Sequence, residues 1–311
     1  MGSVLSPDSL WPSAATLLGR GDALGEESRA VVKLLGAHTF ATSVTPRSSQ
    51  STPFAVRAAL ARYSTWSFED GRDLAPSVVI DDLGDIAEPD TDAGALALGA
   101  ALESGFEHFW LLLGGDNALT WRALSALARG HLVDWGLITL DAHLDMREGQ
   151  SNGSPVRQLL DEGLPGPCIV QVGLADFSNS APYARRAHDA GVRVIARHEF
   201  RRRSIPDIAA EALALAGAGG RPIYVDVDMD VCDRSVVPGC PAAAPGGLSA
   251  DELRELVRLL SAHPRVIALD VTEIDVSRDS DDERTVRLAA LVLLEALAGF
   301  LRRPSEQGSA T

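Results

Sequence analysis

The chain has 311 residues, of which 46% are hydrophobic and 23% are charged, and its formal net charge is −15. This length accommodates one large α/β domain or two small ones, with a sizeable buried core. The acidic balance excludes a broad basic surface for nucleic acid phosphates. No apolar run reaches the roughly 18 residues that a membrane span needs, and the N-terminus lacks a basic and then apolar signal.

The three cysteines, Cys168, Cys232 and Cys240, form no CxxC pair. An odd number of isolated cysteines is typical of reduced thiols in a reducing compartment. The sequence therefore predicts a soluble cytoplasmic protein that acts on a small molecule, with neither a membrane nor a nucleic acid as its partner.

Short apolar segments alternate with helical segments along most of the chain. This alternation is the signature of a parallel sheet covered by helices on both faces. We find no linker and no internal repeat, so we predict a single domain over residues 1–311, with a surface arm at 1–28 and a flexible tail at 304–311. The eight predicted strands cover residues 31–36, 77–80, 109–113, 137–140, 169–172, 192–196, 223–227 and 266–270.

The segment at 137–147 reads LITLDAHLDMR, an apolar strand that ends on polar side chains. Open α/β sheets keep their sites just beyond the carboxyl ends of their strands. Asp141, His143 and Asp145 follow at a spacing of two, so they point the same way if the strand geometry continues. Two carboxylates and an imidazole suit Mn²⁺, Zn²⁺ or Fe²⁺ better than Ca²⁺ or Mg²⁺. The alternative is an acidic strand end with a hydrogen-bonded histidine.

A second acidic cluster, Asp226, Asp228, Asp230 and Asp233, continues the predicted strand at 223–227. The three aspartates at a spacing of two would repel one another in a dry cleft unless a cation is bound there. A solvated acidic loop is the alternative, but the cluster directly continues an apolar strand. The pattern therefore favours metal ligation.

Four motifs fall in a characteristic order at predicted strand ends: GGDN at 114–117, DAHLD at 141–145, VDVDMD at 225–230 and IALDVTE at 267–273. Their pattern resembles the ureohydrolase family of arginases, agmatinases and formimidoylglutamases over about residues 31–300. The resemblance implies a three-layer α/β/α sandwich with an eight-stranded, mainly parallel sheet. It also implies two Mn²⁺ ions per subunit, which activate a hydroxide for attack on a guanidinium or amidine carbon.

The resemblance also implies the metal ligands. In the family a proline lies ten positions after the first of two metal-binding aspartates, so Pro238 selects Asp228 and Asp230. One ion would be held by Asp141, His143, Asp228 and Asp230, and the other by Asp141, Asp145, Asp228 and Asn117. Asp116 and Asp233 would support these ligands as their neighbours.

Two positions depart from the family pattern. Most relatives have histidine where this chain has Asn117, and an amide oxygen is a weaker donor to a transition metal than an imidazole. We therefore expect the Asn117 site to bind its ion weakly or to lose it. Arginases carry a proton-shuttling histidine where this chain has Asn152, so the leaving nitrogen must take its proton from water or a carboxylate.

Two loops look most like those of formimidoylglutamases within the family. They are SNGSP at 151–155, which places Asn152 at the substrate, and FSNS at 177–180, which would face the substrate tail through Ser178 and Asn179.

Arg147 lies two residues beyond Asp145, at the predicted mouth of the site. A guanidinium binds a carboxylate through two parallel hydrogen bonds. N-formimidoyl-L-glutamate carries two carboxylates, whereas agmatine has a cationic tail that an arginine would repel. The alternative is that Arg147 pairs with Glu148 or a nearby aspartate.

These residues predict the hydrolysis of N-formimidoyl-L-glutamate to L-glutamate and formamide, a reaction of histidine degradation. By the resemblance, Asp145 accepts the proton of the hydroxide and Glu273 pairs with the cationic formimino nitrogens. The alternatives are hydrolysis of another guanidino or amidino compound and a catalytically inactive binding protein of the ureohydrolase fold. The family further implies a homo-oligomer, either a trimer or a hexamer.

Overall fold

A parallel sheet forms the centre of the molecule. The computed structural model describes residues 8, 10–19, 29–46, 48 and 50–304. The strands in this part of the chain are β1 (Leu18–Gly19), β2 (Ala30–Ala37), β3 (Trp66–Ser67), β4 (Arg72–Asp73), β5 (Val78–Asp85), β6 (Phe109–Gly114), β7 (Gly136–Leu140), β8 (Ile169–Leu174), β9 (Arg193–Ala196), β10 (Ile223–Asp228) and β11 (Val266–Thr272). Nine of these described strands pair in the order β1-β5-β2-β6-β11-β10-β7-β8-β9, while β3 and β4 form a separate antiparallel pair.

Helices cover both faces of the sheet. They are α1 (Thr52–Ala59), α2 (Asp92–Ala101), α3 (Ala118–Ala128), α4 (Pro155–Asp161), α5 (Ala181–Asp189), α6 (Ile205–Ala216), α7 (Ala250–Ser261) and α8 (Arg284–Phe300). Residues of α1, α6, α7 and α8 join one hydrophobic cluster, and residues of α2 to α5 join a second. Val225 and Val227 of β10 belong to the first cluster and Tyr224 to the second, as strand alternation requires. The predicted three-layer α/β/α architecture is confirmed.

Serine and threonine residues cap the N-termini of five helices. Ser51, Thr91, Ser180, Ser204 and Ser249 precede α1, α2, α5, α6 and α7, and each side chain accepts a hydrogen bond from a backbone N–H of the first turn. These side chains satisfy donors that lack a partner inside the helix. The short polar caps therefore fix the points at which the chain leaves each loop.

One edge of the sheet differs from the prediction. Leu18 and Gly19, in the predicted surface arm, pair with Ile80 and Asp81 as a ninth strand. Strand β5 also runs on to Asp85, beyond the predicted strand at 77–80. Its carboxylates are tolerated there because Arg57 of α1 forms ion pairs with Asp82 and Asp85. Residues 1–7, 9 and 20–28 of the predicted arm lie outside the described residues, and so does the tail beyond 304.

The topology brings the motif-bearing strands together. Strands β6, β11, β10 and β7 are consecutive neighbours in the middle of the sheet. Because they are parallel, their carboxyl ends meet at one edge. No described helix combines the length and apolar character needed to cross a bilayer.

Candidate metal centre

The loop after β7 turns immediately beyond the strand. Strand β7 ends at Leu140, and the His143 backbone N–H donates to Asp141 Oδ1 over 2.6 Å. Asp145 has a φ of +52°, in the left-handed region. The strand geometry therefore does not continue to Asp145, so the condition on which the common direction of the three side chains was predicted is not met. The backbone turn brings Asp141 and His143 together, while the Asp145 carboxyl stays close enough to that of Asp141 to interact with it and lines the same cavity as His143.

The loop after β10 folds toward the same place. Asp228 is the last residue of β10, and its Oδ1 accepts a hydrogen bond from the Asp230 N–H over 2.8 Å. This short turn brings Asp230 to the β7 loop. One Asp230 oxygen accepts a hydrogen bond from the Ala142 N–H over 3.1 Å, and the other lies 2.8 Å from His143 Nδ1.

Asp141, His143 and Asp230 form a compact group, which we name the His143 half of the centre. Their potential ligand atoms all lie within 4.8 Å of one another. Asp141 Oδ2 is buried and has no hydrogen-bond partner among the described residues. Two carboxylates and an imidazole with an unsatisfied buried oxygen fit a divalent transition metal ion.

The electrostatics of the group also favour a bound positive charge. Burial, together with the charge of Asp230, raises the pKa of Asp141 to about 7. Burial alone would lower the pKa of His143, but the charge of Asp230 and hydrogen bonds to both carboxylates outweigh it and raise the pKa to about 12. Burial and neighbouring carboxylates raise the pKa of Asp145 and Asp228 as well. Bound divalent cations would remove this mutual repulsion.

Asn117 and Asp145 form the second part of the centre, the Asn117 half. Both residues are buried, and Asn117 Nδ2 donates to Asp145 Oδ2 over 2.7 Å. On its other side, Asn117 Oδ1 lies 2.6 Å from Thr120 Oγ1 and 3.2 Å from Thr272 Oγ1. Asp145 is thus beside Asn117, as the predicted ligand set requires, but it is not part of the compact His143 half.

Glu273 follows β11 and lines the same cavity as Asp145 and Asp228. It is buried and has a φ of +65°. Its Oε1 accepts hydrogen bonds from the Asn117 backbone N–H over 2.9 Å and from Asn152 Nδ2 over 2.8 Å. Asn152, predicted at the substrate, therefore holds Glu273 in place. Left-handed backbone at a non-glycine residue is costly and clusters at functional sites.

Asn179 has a positioning contact that the sequence did not reveal. Its Oδ1 accepts a hydrogen bond from the Leu144 N–H over 2.8 Å, and its Nδ2 donates to the Ala142 carbonyl over 3.0 Å. The amide thus bridges the backbone on either side of His143. Gln171 Nε2 adds a hydrogen bond to the Leu144 carbonyl over 3.2 Å. The substrate contact predicted for Asn179 stays a prediction.

The remaining predicted site residues lie around the centre. Asp116 accepts hydrogen bonds from Ser43 Oγ and the Ala118 N–H, so it fixes the loop before α3 to the segment near residue 43. Asp233 accepts hydrogen bonds from the Ser235 and Gly246 N–H groups. It therefore supports the loop after β10 rather than a ligand side chain.

A cavity of about 430 Å³ opens over the centre. Its lining includes His143, Asp145, Asp228, Asp230 and Glu273 at the carboxyl ends of the strands, and Arg147, Asn152, Ser178, Asn179 and Tyr183 from the surrounding loops. The cavity therefore joins a carboxylate-rich region to a loop region that contributes an arginine.

Arg147 has no ion pair or side-chain hydrogen bond within the described part of the chain. Glu148, the alternative partner, instead forms an ion pair with Arg186. The absence of a side chain at Gly153 leaves room for Arg147, because a Cβ there would lie 2.6 Å from Arg147 Cδ. A guanidinium at a cavity wall, without a carboxylate of its own, is available to an anionic ligand.

The family model that describes the arginase family matches residues 30–299. This chain belongs to the arginase family, and the resemblance to ureohydrolases inferred from the four motifs is confirmed.

Several relatives that match most of the chain are formimidoylglutamases. Formimidoylglutamase of Halalkalibacterium halodurans is 37% identical over 281 residues, which are 86% of this chain and 86% of that protein. The crystal structure of formimidoylglutamase from Bacillus subtilis superposes with a TM-score of 0.86 at 32% identity and covers 98% of each chain. A structure of Trypanosoma cruzi formiminoglutamase with Mn²⁺ has a TM-score of 0.83, covering 94% of this chain and 100% of that one. At 24% identity, that last likeness supports the shared fold alone.

Proposed function

We propose that this protein hydrolyses N-formimidoyl-L-glutamate, with water, to L-glutamate and formamide. The similarity to formimidoylglutamases of Halalkalibacterium halodurans and Bacillus subtilis supports this substrate. The observation within the chain that carries the proposal is the charge distribution of the cavity. Its carboxylates suit a cationic formimino group, and Arg147 suits a carboxylate of the glutamate part.

The metal centre accounts for the hydrolytic step. The residues that would hold divalent ions are Asp141, His143, Asp228 and Asp230 for one ion, and Asp141, Asp145, Asp228 and Asn117 for the other. A divalent ion bound there would lower the pKa of water enough to provide a nucleophile near neutral pH. We propose Mn²⁺ as this ion, a choice that agrees with the Mn²⁺ in the Trypanosoma cruzi structure.

The chain's own side chains orient the substrate and move its protons. Glu273, held by the Asn117 N–H and the Asn152 amide, accepts hydrogen bonds from the formimino nitrogens. Asp145 accepts the proton that the water nucleophile loses. Arg147 holds a carboxylate and so fixes the distance between the formimino carbon and the centre.

The test is product analysis with purified protein and added Mn²⁺. N-formimidoyl-L-glutamate is offered beside arginine, agmatine and 4-guanidinobutyrate, and glutamate and formamide are quantified. We expect turnover of the first substrate and little of agmatine, because the cationic tail of agmatine would face Arg147. Turnover of 4-guanidinobutyrate instead would favour a guanidino-acid hydrolase, a second candidate because it also presents a carboxylate to Arg147. No turnover of any compound would favour a binding protein.

The Arg147→Met variant tests the carboxylate contact. A hydrogen-bonded charge pair contributes about 2–3 kcal/mol, so kcat/KM for N-formimidoyl-L-glutamate should fall by about 30- to 150-fold. Hydrolysis of N-methylformamidine, which has no carboxylate, should be unaffected. Arg185→Met is the matched control, since Arg185 is an exposed arginine of α5 that does not line the cavity. Equal losses on both substrates would contradict the proposed contact.

Three further predictions belong to this proposal. They are a single-domain chain, a cytoplasmic location and a homo-oligomeric state of three or six subunits. Size-exclusion chromatography with light scattering would measure the last of these.

A further inference from the structure

A network of polar side chains lies beneath Asn117. Thr120 Oγ1 lies 2.8 Å from Asp270 Oδ2, and Tyr224 donates to the same oxygen over 2.7 Å. Thr272 Oγ1 lies 3.5 Å from Asp226 Oδ1. All five side chains are completely buried. Asp226 and Asp270 are register partners on β10 and β11, so the network spans two central strands.

The three hydroxyl groups of this network have three protons for five close contacts with acceptor oxygens. The Thr120 hydroxyl has one proton and two acceptors within reach, Asn117 Oδ1 and Asp270 Oδ2. The Thr272 hydroxyl also has one proton, with Asn117 Oδ1 and Asp226 Oδ1 as acceptors. While the amide oxygen faces both hydroxyls, each threonine can satisfy either the amide or its carboxyl group, but not both.

Turning the amide by half a rotation resolves this deficit. The two protons of Nδ2 would then go to Thr120 and Thr272, and each hydroxyl would give its own proton to Asp270 or Asp226. The Asn117 oxygen would in turn face Asp145 Oδ2, which lies 2.7 Å from the present amide nitrogen. Two facing oxygen atoms are favourable only when a proton or a cation lies between them, and the surrounding carboxylates favour a cation.

We propose that Thr120 and Thr272 are positioning residues that turn the Asn117 oxygen toward the metal centre and so make this amide a metal ligand. The inference rests on the proposed metal centre and adds the residues that select the amide orientation. It explains how an asparagine can serve where an imidazole is usual: buried hydroxyls hold the weaker donor in its ligating orientation. Residues that orient a metal ligand typically change metal affinity by about 10- to 100-fold when they are removed.

The test is calorimetric titration of the metal-stripped full chain with Mn²⁺. We expect the wild type to bind two ions, and Thr120→Val/Thr272→Val to bind one of them at least about tenfold more weakly. The other ion should keep its affinity, because the His143 half does not contact the threonines. Thr120→Ser/Thr272→Ser, which keeps both hydroxyls, should restore the second affinity.

Unchanged affinity for both ions in the valine variant would overturn the proposal, and so would a wild type that saturates with one ion. If the valine variant fails to fold, a crystal structure of the Mn²⁺-loaded wild type decides. An Asn117 oxygen bonded to the ion, with its nitrogen between the two threonine hydroxyls, supports the proposal; an Asn117 that touches no ion overturns it. Turnover of N-formimidoyl-L-glutamate is a separate readout, so a one-ion enzyme would retain the proposed function while this inference fails.

Discussion

The two halves of the metal centre are built in different ways. In the His143 half, backbone groups hold the ligands: the Ala142 N–H binds Asp230, the His143 N–H binds Asp141, and Asn179 bridges the chain around His143. In the Asn117 half, side-chain hydroxyls and one amide set the arrangement. Backbone contacts survive most substitutions, whereas a hydroxyl network depends on each member. We therefore expect the first half to be the tighter site.

The halves also differ in charge. The His143 half contains an ion pair between His143 and Asp230, whereas the Asn117 half pairs a carboxylate with a neutral amide. An ion that enters the first half must displace a proton from the imidazole. The second half needs no such exchange at its amide. Because burial also raises the pKa of Asp145, metal binding should depend on pH in both halves, and the imidazole adds a displaced proton in the first.

The largest effect is expected from breaking the His143 half. Asp230→Asn removes a charged ligand and the partner of His143, so kcat/KM should fall by about a thousandfold, or about 4 kcal/mol of transition-state stabilisation. Asp233→Asn is the matched control, because Asp233 lies in the same loop but binds the Ser235 and Gly246 backbone instead. Steady-state kinetics and metal analysis compare the two. Equal losses of kcat/KM in both variants would mean that the substitutions act by disturbing the loop and not by removing a metal ligand.

The pH dependence of Mn²⁺ affinity distinguishes the two halves, because it reports how many protons each ion displaces. Since the pKa of His143 is raised to about 12, its imidazole holds a proton that the ion displaces throughout the neutral range. Since the pKa of Asp141 is raised to about 7, this carboxyl also holds a proton below that pH. Each displaced proton changes affinity about tenfold per pH unit, so Mn²⁺ affinity of the tighter site should fall by more than about a hundredfold from pH 8 to pH 6. Calorimetry in buffers of different ionisation enthalpy counts the released protons; no release would contradict this assignment.

The smallest effect on metal affinity is expected from Asn179, the side chain that holds the backbone on either side of His143. Asn179→Leu keeps the approximate volume but removes both hydrogen bonds around His143, so affinity for the tighter Mn²⁺ should fall by about tenfold. The affinity of the Asn117 half should stay the same. Ser178→Ala, one residue earlier in the same loop, is the control for a loop that merely faces the substrate. A raised KM with unchanged metal affinity in Asn179→Leu would instead support the predicted substrate contact.

Much of the site was predictable because polar residues that directly follow an apolar run in the sequence mark the end of a buried strand. Asp141, Asp228 and Glu273 each follow or end an apolar run, and parallel strands gather such residues at one edge. The backbone turn at Asp145 was not predictable, since the alternating pattern does not encode a positive φ. The same holds for Asn179, whose partners lie about 35 residues away in the chain.

The sequence by itself determined the α/β class, the order of the motifs and the family, because apolar periodicity and motif spacing are local properties of the chain. The tertiary structure alone decided which polar groups touch: Asn117 meets Thr272, 155 residues later, and Glu273 meets Asn152, 121 residues earlier. Those contacts arise from the lateral order of β6, β11, β10 and β7, and hydrogen bonds act only over about 3 Å. Small differences in how the strand ends turn therefore decide which side chain is a ligand and which one holds a ligand in place.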